Sequence, residues 1–363
     1  MFDPASGVKK LSKDMIRTKK FGLRILILAM LLVSMVFVPA SCAKPFTEKI
    51  TEKAVEEIEY SVPEPEPIIT LSTTSKLPYW YLLEADENQQ KIFFSYIDNC
   101  YVSNEEKKEM KKEMEDIWKR YPDKITEEDY QTLEEISNAT SEYLNHKYGN
   151  KGIGIQWAGN THNKMTYSAC RKMGVSINYA QTASDYADDP DDWDSGFWQS
   201  YNHYYNPVVP TTGYAHVNCA NLTNNAKAYY SNSQLTSAYQ HLGYATHYMS
   251  DLGNPMHTGC EVDQYQNQWV HTSYESYVYN NWDTGQKYGD VVNATNTYYT
   301  ITNPKQSAEN LASSTHPDVD TLYKLVYYNP TTFGSNPDVI AITMYGLREA
   351  TKYNKGLVNY VRG

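Results

Sequence analysis

The sequence predicts an all-α fold, and three stretches support this prediction. Residues 104–120 form a strongly charged segment that opens with Asn-Glu-Glu, as a surface helix does. Residues 126–129 read Thr-Glu-Glu-Asp and resemble a capping box, in which side chains bond the free N–H groups at a helix start. Residues 340–353 carry apolar side chains at helical spacing, which is typical of a helix packed on a core. These segments predict a compact multi-helix domain with a helical pre-region in front of it.

Composition places the chain among globular proteins and argues against a nucleic-acid partner. Its 363 residues are enough for one large domain or two ordinary ones, and 41% of them are hydrophobic. The net charge is −11, and no long basic run follows residue 24. A protein that tracks a phosphate backbone usually carries a basic patch, so we expect no nucleic-acid partner. The 34 tyrosines fit either a Tyr-rich surface or the rim of a lipid-facing cleft.

The first 43 residues predict export. Seven Lys and Arg side chains lie between residues 9 and 24, an apolar run covers residues 25–38, and Pro-Ala-Ser-Cys-Ala follows. This order is that of a secretory signal, and the run is shorter than the ~20 apolar residues of a membrane span. Cys42 also resembles a lipid-attachment site, and an uncleaved anchor is a third alternative. We expect a protein that is secreted or attached to the outer face of the cell membrane.

Residues 44–156 are predicted to precede the functional domain. Residues 44–80 are rich in Glu and contain Pro-Glu-Pro-Glu-Pro, which is typical of a stiff, solvated linker. Residues 84–148 are predicted to be helical and to form a pro-region, a spacer or part of the fold. A breaker-rich stretch at 149–154 then leads into a predicted catalytic domain over residues 157–363.

Residues 239–282 hold five potential metal ligands, which are His247, Asp251, His257, His271 and Glu275. His247 and Asp251 are four residues apart, as are His271 and Glu275, and residues four apart share one face of a helix. Imidazole and carboxylate together are a typical zinc ligand set. A single histidine of this kind is more often structural, but five ligands within 29 residues predict a zinc site.

The spacing His247-x3-Asp251-x5-His257-x13-His271-x3-Glu275 resembles the signature of bacterial zinc-dependent phospholipase C. This resemblance implies a helical protein with three zinc ions in a cleft. The related single-strand nucleases share the first half of the signature, but they have a longer final gap and end in His-x3-Asp. The short gap and Glu275 favour the phospholipase side.

The resemblance extends to residues in front of this motif. In the phospholipases the mature chain begins with a Trp that binds zinc through its amino nitrogen and carbonyl oxygen, and a His follows. Trp157 and His162 resemble that pair, which implies cleavage before Trp157 and makes residues 43–156 a candidate propeptide. The alternative is that Trp157 only packs and His162 alone is a ligand.

Two further positions resemble ligands of the family. His203 is followed by Tyr-Tyr-Asn-Pro and resembles a zinc ligand, although Asn206 replaces the Asp of that pattern. Asp185-Tyr186 resembles a pair in which Asp binds zinc and Tyr lines the choline pocket. The distance from Asp185 to His203 is longer than in the family, so other carboxylates are alternative ligands: Asp188, Asp189 and Asp191.

By resemblance, the ligands divide among three zinc ions. The three sets are Asp185, His203, His247 and Asp251; then His257, His271 and Glu275; and then Trp157, His162 and again Asp251. Asp185 or Asp251 is expected to accept the proton of the attacking water. Tyr186, Trp198 and Tyr201 are expected to bind the substrate, because an aromatic wall attracts a quaternary ammonium group.

These expectations combine into one function and two alternatives. The expected activity is zinc-dependent cleavage of the glycerol-side phosphate ester of phospholipids, of phosphatidylcholine type, at a membrane surface. The alternatives are a phosphodiesterase similar to single-strand nucleases and a non-catalytic, zinc-stabilised surface protein displayed on the pre-region as a stalk. The sequence identifies no protein partner.

Overall fold

Helices make up the regular structure of the residues that the computed structural model describes, which are 79–148, 160–193, 199–210, 213–259 and 268–363. No strand occurs in these ranges, so the predicted all-α fold class is confirmed. Within them, no helix combines the length and the apolar character that a bilayer crossing requires. The predicted signal segment, the linker over residues 44–78, Trp157 and Trp198 lie outside the described residues.

The helices follow one another with short connections. The pre-region contains α1 (Trp80–Leu83), α2 (Glu87–Asn99), α3 (Asn104–Arg120) and α4 (Glu127–Tyr148). The later α-helices are α5 (Thr161–Lys172), α6 (Ile177–Asp185), α7 (Asp189–Trp193), α8 (Ala215–Ser231), α9 (Leu235–Asp251), α10 (Gln268–Asn280), α11 (Tyr288–Ala294), α12 (Pro304–Thr315), α13 (Val319–Tyr328) and α14 (Pro337–Arg362). Short 3-10 helices lie at Gln199–His203, Pro255–His257, His316–Asp318 and Phe333–Ser335.

Reciprocal side-chain caps start α2, α3 and α4 of the pre-region. Before α3, the Ser103 hydroxyl accepts the Glu106 N–H at 3.2 Å, and the Glu106 carboxylate accepts the Ser103 N–H at 2.8 Å. Before α4, Thr126 and Asp129 exchange the same two bonds at 3.2 and 2.8 Å, and Arg120 donates two more to the Asp129 carboxylate. These bonds satisfy N–H groups that lack a partner within the helix. The capping box predicted at residues 126–129 is therefore confirmed.

Helix α9 is central to residues 160–363. It packs against α5, α6, α8 and α14, and residues 242–251 within it are all buried. Gly243 allows α6 to approach closely, because an added Cβ would lie 2.3 Å from the Ala183 carbonyl oxygen. At the other end, a Cβ on Gly346 of α14 would lie 2.1 Å from the Gly253 carbonyl oxygen. Two direct backbone contacts thus fix α9 against its neighbours.

The pre-region shares a core with the later helices. Helix α4 packs against α10, and α2 packs against α13. The Tyr96 hydroxyl donates to the Tyr327 carbonyl oxygen at 2.8 Å, and the Tyr328 hydroxyl donates to the Tyr81 carbonyl oxygen at 2.8 Å. All described residues also belong to one compact unit, Ile69–Gly363. Residues 79–148 are therefore built into the same folded unit as α5–α14.

Many tyrosines lie inside the protein. Tyr81, Tyr274 and Tyr288 have no exposed surface. The Tyr274 hydroxyl lies 3.0 Å from the Thr343 hydroxyl, and the Tyr288 hydroxyl lies 2.7 Å from that of Tyr277. Burial of a tyrosine is favourable when its ring packs against other side chains and its hydroxyl keeps a hydrogen-bond partner. Part of the high tyrosine content therefore serves the core.

Candidate metal centre

Eight buried imidazole and carboxylate side chains converge near the C-terminal end of α9. They come from α5, α7, α9, α10 and two 3-10 helices, and they are His162, Asp191, His203, His247, Asp251, His257, His271 and Glu275. Seven of them are residues that the sequence analysis singled out as ligands. The eighth, Asp191, is among the alternatives named there.

One group of ligand atoms lies where α9 meets the 3-10 helix Gln199–His203. Nδ1 of His203 lies 2.9 Å from Oδ2 of Asp251 and 3.0 Å from Nε2 of His247. Oδ1 of Asp191 lies 3.1 Å from the same His247 nitrogen. Nε2 of His247 lies 3.3 Å from Oδ2 of Asp251 across one turn of α9, so the two share a helix face as their spacing predicts.

A second group forms where α10 meets the 3-10 helix Pro255–His257. Nε2 of His271 lies 2.8 Å from Oε1 of Glu275 and 3.0 Å from Nε2 of His257. Nε2 of His257 lies 3.1 Å from the same Glu275 oxygen. These three atoms face one point, which is the geometry expected of ligands that share one ion.

His162 joins the first group from α5. Its ring stacks on the His247 ring with centroids 4.1 Å apart, and its Nε2 lies 3.3 Å from Oδ1 of Asp251. One ligand atom from each of His162, Asp191 and His247 lies within 4.8 Å of the other two. Asp251 also approaches the second group, because its Oδ1 lies 3.9 Å from Nδ1 of His257. Asp251 therefore directs Oδ2 at His203 and His247 and Oδ1 at His162.

Hydrogen bonds outside the cluster fix how the histidines present their nitrogens. Nδ1 of His247 donates to the Ala187 carbonyl oxygen at 2.7 Å, and Nδ1 of His257 donates to the His203 carbonyl oxygen at 2.9 Å. The Tyr204 hydroxyl lies 3.2 Å from Nδ1 of His271. In each case Nε2 is left facing the cluster. Metal-binding histidines are held in this manner, with one ring nitrogen tied and the other free to bind.

The cluster holds more buried polar atoms than its own hydrogen bonds satisfy. Both ring nitrogens of His162, both carboxylate oxygens of Asp191 and Oδ1 of Asp251 are buried without a hydrogen-bond partner. Burial of such atoms is costly unless an ion or a hydrogen bond compensates. Two ligand atoms at about 2.0–2.2 Å from one tetrahedral zinc ion lie about 3.3–3.6 Å apart. The spacings within each group are close to that value, so the residues fit zinc.

The electrostatics of the cluster also suit a cation. Burial, helped by the neighbouring His247, lowers the pKa of His162 to about 4, which leaves the ring neutral and able to bind metal at neutral pH. Burial raises the pKa of Asp191 to about 7, although His247 acts against this. Burial also disfavours ionised Glu275, but His271 and His257 outweigh it and lower the pKa of Glu275 to about 2. A bound cation would stabilise both of these carboxylates in their ionised form.

Asp185 lies apart from the cluster, although the sequence analysis placed it in the expected ligand set. Its side chain is exposed at the end of α6 and accepts a hydrogen bond from Gln181 at 2.6 Å. The chain turns after α6, and the short helix α7 then carries Asp191 back towards His247. Asp191 is buried there beside His247, which favours it over Asp185 among the alternative ligands.

Replacement of Asp191 or of Asp185 by asparagine tests which of the two residues binds zinc. Asp191→Asn is expected to lower the zinc content by about one ion per chain, because a neutral amide does not replace an anionic ligand. Asp185→Asn is the matched control and is expected to leave the zinc content unchanged. Atomic absorption on both purified variants measures this. Zinc loss in the Asp185 variant alone would restore the original assignment.

The expected substrate-binding residues are only partly described. Tyr186 is half-buried and lies edge-on against Tyr244, with ring centroids 5.8 Å apart. Trp193 packs on the same Tyr244 ring at 4.4 Å, is 50% exposed and follows Asp191 by two residues. Tyr201 is half-buried, two residues before His203. The described aromatic side chains therefore lie close in sequence to two members of the first group.

The sequence analysis missed Asn254, which supports the second group. Its side-chain amide donates to Oε1 of Glu275 at 3.0 Å, and its Oδ1 accepts the Met256 N–H at 3.0 Å. It therefore caps the 3-10 helix Pro255–His257 and orients a ligand at the same time. An Asn-Pro pair is typical of a turn, but only the fold brings this amide to Glu275.

Asn254→Ala is expected to weaken zinc binding at the second group by about 10–100-fold, the usual cost of losing a residue that orients a ligand. Asn303→Ala is a matched control, because Asn303 also precedes a proline and caps a helix through the Gln306 N–H. Competition against a zinc chelator measures both. Equal zinc affinity in the two variants would show that Asn254 acts only as a cap.

Comparison with known protein families finds no family that matches, and a search of curated proteins finds no significant match. Among solved structures, the chain is similar to Clostridium perfringens alpha-toxin from avian strain SWCP, with 12% identity over 58% of this chain and 66% of the toxin, at a TM-score of 0.40. It is also similar to the alpha toxin of Clostridium absonum, with 15% identity, 59% and 64% coverage, and a TM-score of 0.39. The chain spans just under two thirds of each toxin. At TM-scores this low, the likeness by itself establishes neither a common fold nor a common activity.

Proposed function

We propose that this protein is a zinc-dependent phosphodiester hydrolase of the bacterial phospholipase C type. The observation that carries the proposal is the convergence of seven motif residues, with Asp191, into two adjacent buried ligand groups. Adjacent metal ions in proteins serve phosphodiester cleavage, in which they activate a water and stabilise the charge of the transition state. A protein that only held one structural zinc ion would need one group of ligands, not two.

Asp251 has the central role in this proposal. Its Oδ2 faces His203, while its Oδ1 lies 3.3 Å from His162 and 3.9 Å from His257. Such a carboxylate can support ions on both sides. Of the two proton acceptors expected from the sequence, Asp185 is exposed and apart from the cluster, which favours Asp251 for the proton of the attacking water.

Phospholipids of phosphatidylcholine type are the proposed substrates. Tyr186, Tyr201 and Trp193 would contact a quaternary ammonium head group, since aromatic faces attract such a cation. The net charge of −11 supports a lipid over a nucleic acid. The protein is proposed to be exported and to act at a membrane surface, with the bond on the glycerol side of the phosphate as its target.

Zinc analysis combined with three substrates tests the proposal on the exported full-length chain. We expect about two to three zinc ions per chain, together with hydrolysis of p-nitrophenyl phosphorylcholine and release of diacylglycerol from phosphatidylcholine vesicles. Cleavage of single-stranded DNA alone would establish the nuclease-like alternative. Zinc binding without hydrolysis of any of the three would establish a zinc-stabilised surface protein.

A further inference from the structure

We propose that the pre-region, residues 79–148, positions α10 and thereby the second group of ligands. The inference rests on the proposed function, because it assumes that His257, His271 and Glu275 hold a metal ion. Helix α10 carries two of these three residues. The pre-region would then be part of the metal-binding apparatus and remain bound to the later helices even after cleavage of the chain before Trp157.

The first step of the argument is what supports α10. This helix packs chiefly against α4 of the pre-region and α13. Trp269, in its first turn and two residues before His271, is almost fully buried, and its ring stacks on Tyr148 at 5.1 Å with an interplanar angle of 28°. On the other side, the Tyr274 hydroxyl lies 3.0 Å from the Thr343 hydroxyl of α14. The pre-region therefore contacts the turn of α10 from which His271 projects.

The second support, α13, is itself held by the pre-region. The ring of Tyr327 in α13 lies 6.1 Å from Trp269 and 5.1 Å from Tyr81 of α1. The Tyr96 hydroxyl of α2 bonds the Tyr327 carbonyl oxygen. Two rings of the later helices thus lie between two rings of the pre-region in one row, which is Tyr148, Trp269, Tyr327 and Tyr81. Removal of a ring from this row leaves α10 less constrained on the side opposite α14.

A small displacement of α10 matters because metal ligands tolerate little error. Ligand groups need to stay within about 0.5 Å of their productive positions. His271 and Glu275 lie one helical turn apart, with Nε2 and Oε1 2.8 Å from each other, and both move together with α10. His162, Asp191 and His247 come from α5, α7 and α9, so the first group does not depend on α10. The expected defect is therefore confined to one of the two groups.

Substitution of Tyr148 in the full-length chain tests the inference. Tyr148→Ala is expected to lower zinc affinity at the second group by about 10–100-fold, as loss of a positioning residue does, and Tyr148→Phe is expected to restore it. Tyr101→Ala is the matched control, because Tyr101 also packs on the end of α4, against Tyr143 and His146, and is 58% exposed. Chelator titration with zinc analysis measures all three, and the melting temperature in saturating zinc verifies that each variant folds.

A double substitution identifies the site that is affected. His271→Ala removes a ligand of the second group, so adding Tyr148→Ala to it is expected to cause no further zinc loss. Wild-type affinity in Tyr148→Ala, or an equal loss in Tyr101→Ala, would overturn the inference while leaving the proposed function intact. Further zinc loss in the double variant would also overturn it. A wild-type chain that binds no zinc would overturn both the inference and the proposed function.

Discussion

Asp251→Asn is expected to cost more zinc and more activity than any other single substitution in the cluster. The carboxylate has one oxygen 2.9 Å from His203 and the other 3.3 Å from His162, so it can support an ion on each side. An amide keeps the shape but loses the charge, so each of the two ions proposed there would lose an anionic ligand. Loss of one group that stabilises transition-state charge costs about 10²–10³-fold in rate, and here two ions are affected.

Zinc analysis and p-nitrophenyl phosphorylcholine hydrolysis measure this expectation. Asp251→Asn is expected to fall at least about 10²-fold in kcat/KM and to hold less zinc than variants that lose a ligand of one proposed ion only, such as His271→Ala. Asp185→Asn, which changes an exposed carboxylate, serves as the control and should behave as wild type. Near wild-type activity in Asp251→Asn would contradict the bridging role.

A chain of residues 157–363 alone is expected to fold poorly, and this is the second large effect. Loss of residues 79–148 removes the cover from Trp269 and Tyr327, which are buried almost completely. Each aromatic side chain buries about 150–250 Å². At about 25 cal/mol per Å², exposing both fully would cost about 7–12 kcal/mol, which is comparable with the whole stability of a typical domain, about 5–15 kcal/mol.

Soluble yield and dye binding to exposed apolar surface measure this effect. The control is a full-length chain with a specific protease site placed between residues 149 and 156 and then cut. Its two pieces are expected to elute together in size-exclusion chromatography without denaturant, because the shared core does not depend on the peptide bond. A fragment of residues 157–363 that is soluble and melts cooperatively by itself would contradict the expectation.

The expected dependence of residues 157–363 on residues 79–148 affects what cleavage before Trp157 would do to the protein. A free amine at Trp157 requires a cut in the chain, but it does not require residues 79–148 to leave. The Tyr96 and Tyr328 hydroxyl bonds and the Tyr148–Trp269 stack favour a retained segment. Cleavage with retention would combine the family's N-terminal ligand with an intact core. Release of a propeptide remains a prediction that N-terminal sequencing of the exported protein tests.

Local chemistry explains which parts of the structure could be predicted from the sequence. The pairs His247 with Asp251 and His271 with Glu275 lie on single helices, where spacing alone determines the face. The Thr126–Asp129 cap is equally local, since both partners lie within four residues. These features do not depend on distant parts of the chain, so pattern and propensity are sufficient.

Other features depend on contacts between distant residues. The choice between Asp185 and Asp191 depends on how the chain turns after α6, and a run rich in Asp has no periodicity that would fix it. The role of Asn254 depends on α10 returning Glu275 to within 3.0 Å of its amide. The helices of the pre-region were predictable from charge and caps, but their packing against α10 and α13 was not, because Tyr96 and Tyr148 indicate only an apolar face.

The backbone contacts at Gly243 and Gly346 have a consequence for recognising distant relatives. A side chain at either position would meet a carbonyl oxygen, at 2.3 Å from Ala183 and 2.1 Å from Gly253 respectively. No substitution in the partner relieves such a clash, because every residue type has the same carbonyl. A homologous chain that packs its helices in this way should therefore keep glycine at both positions, even after most of its surface and core have diverged. The two glycines form a search pattern that is independent of the metal ligands and would also recover relatives that have lost the chemistry.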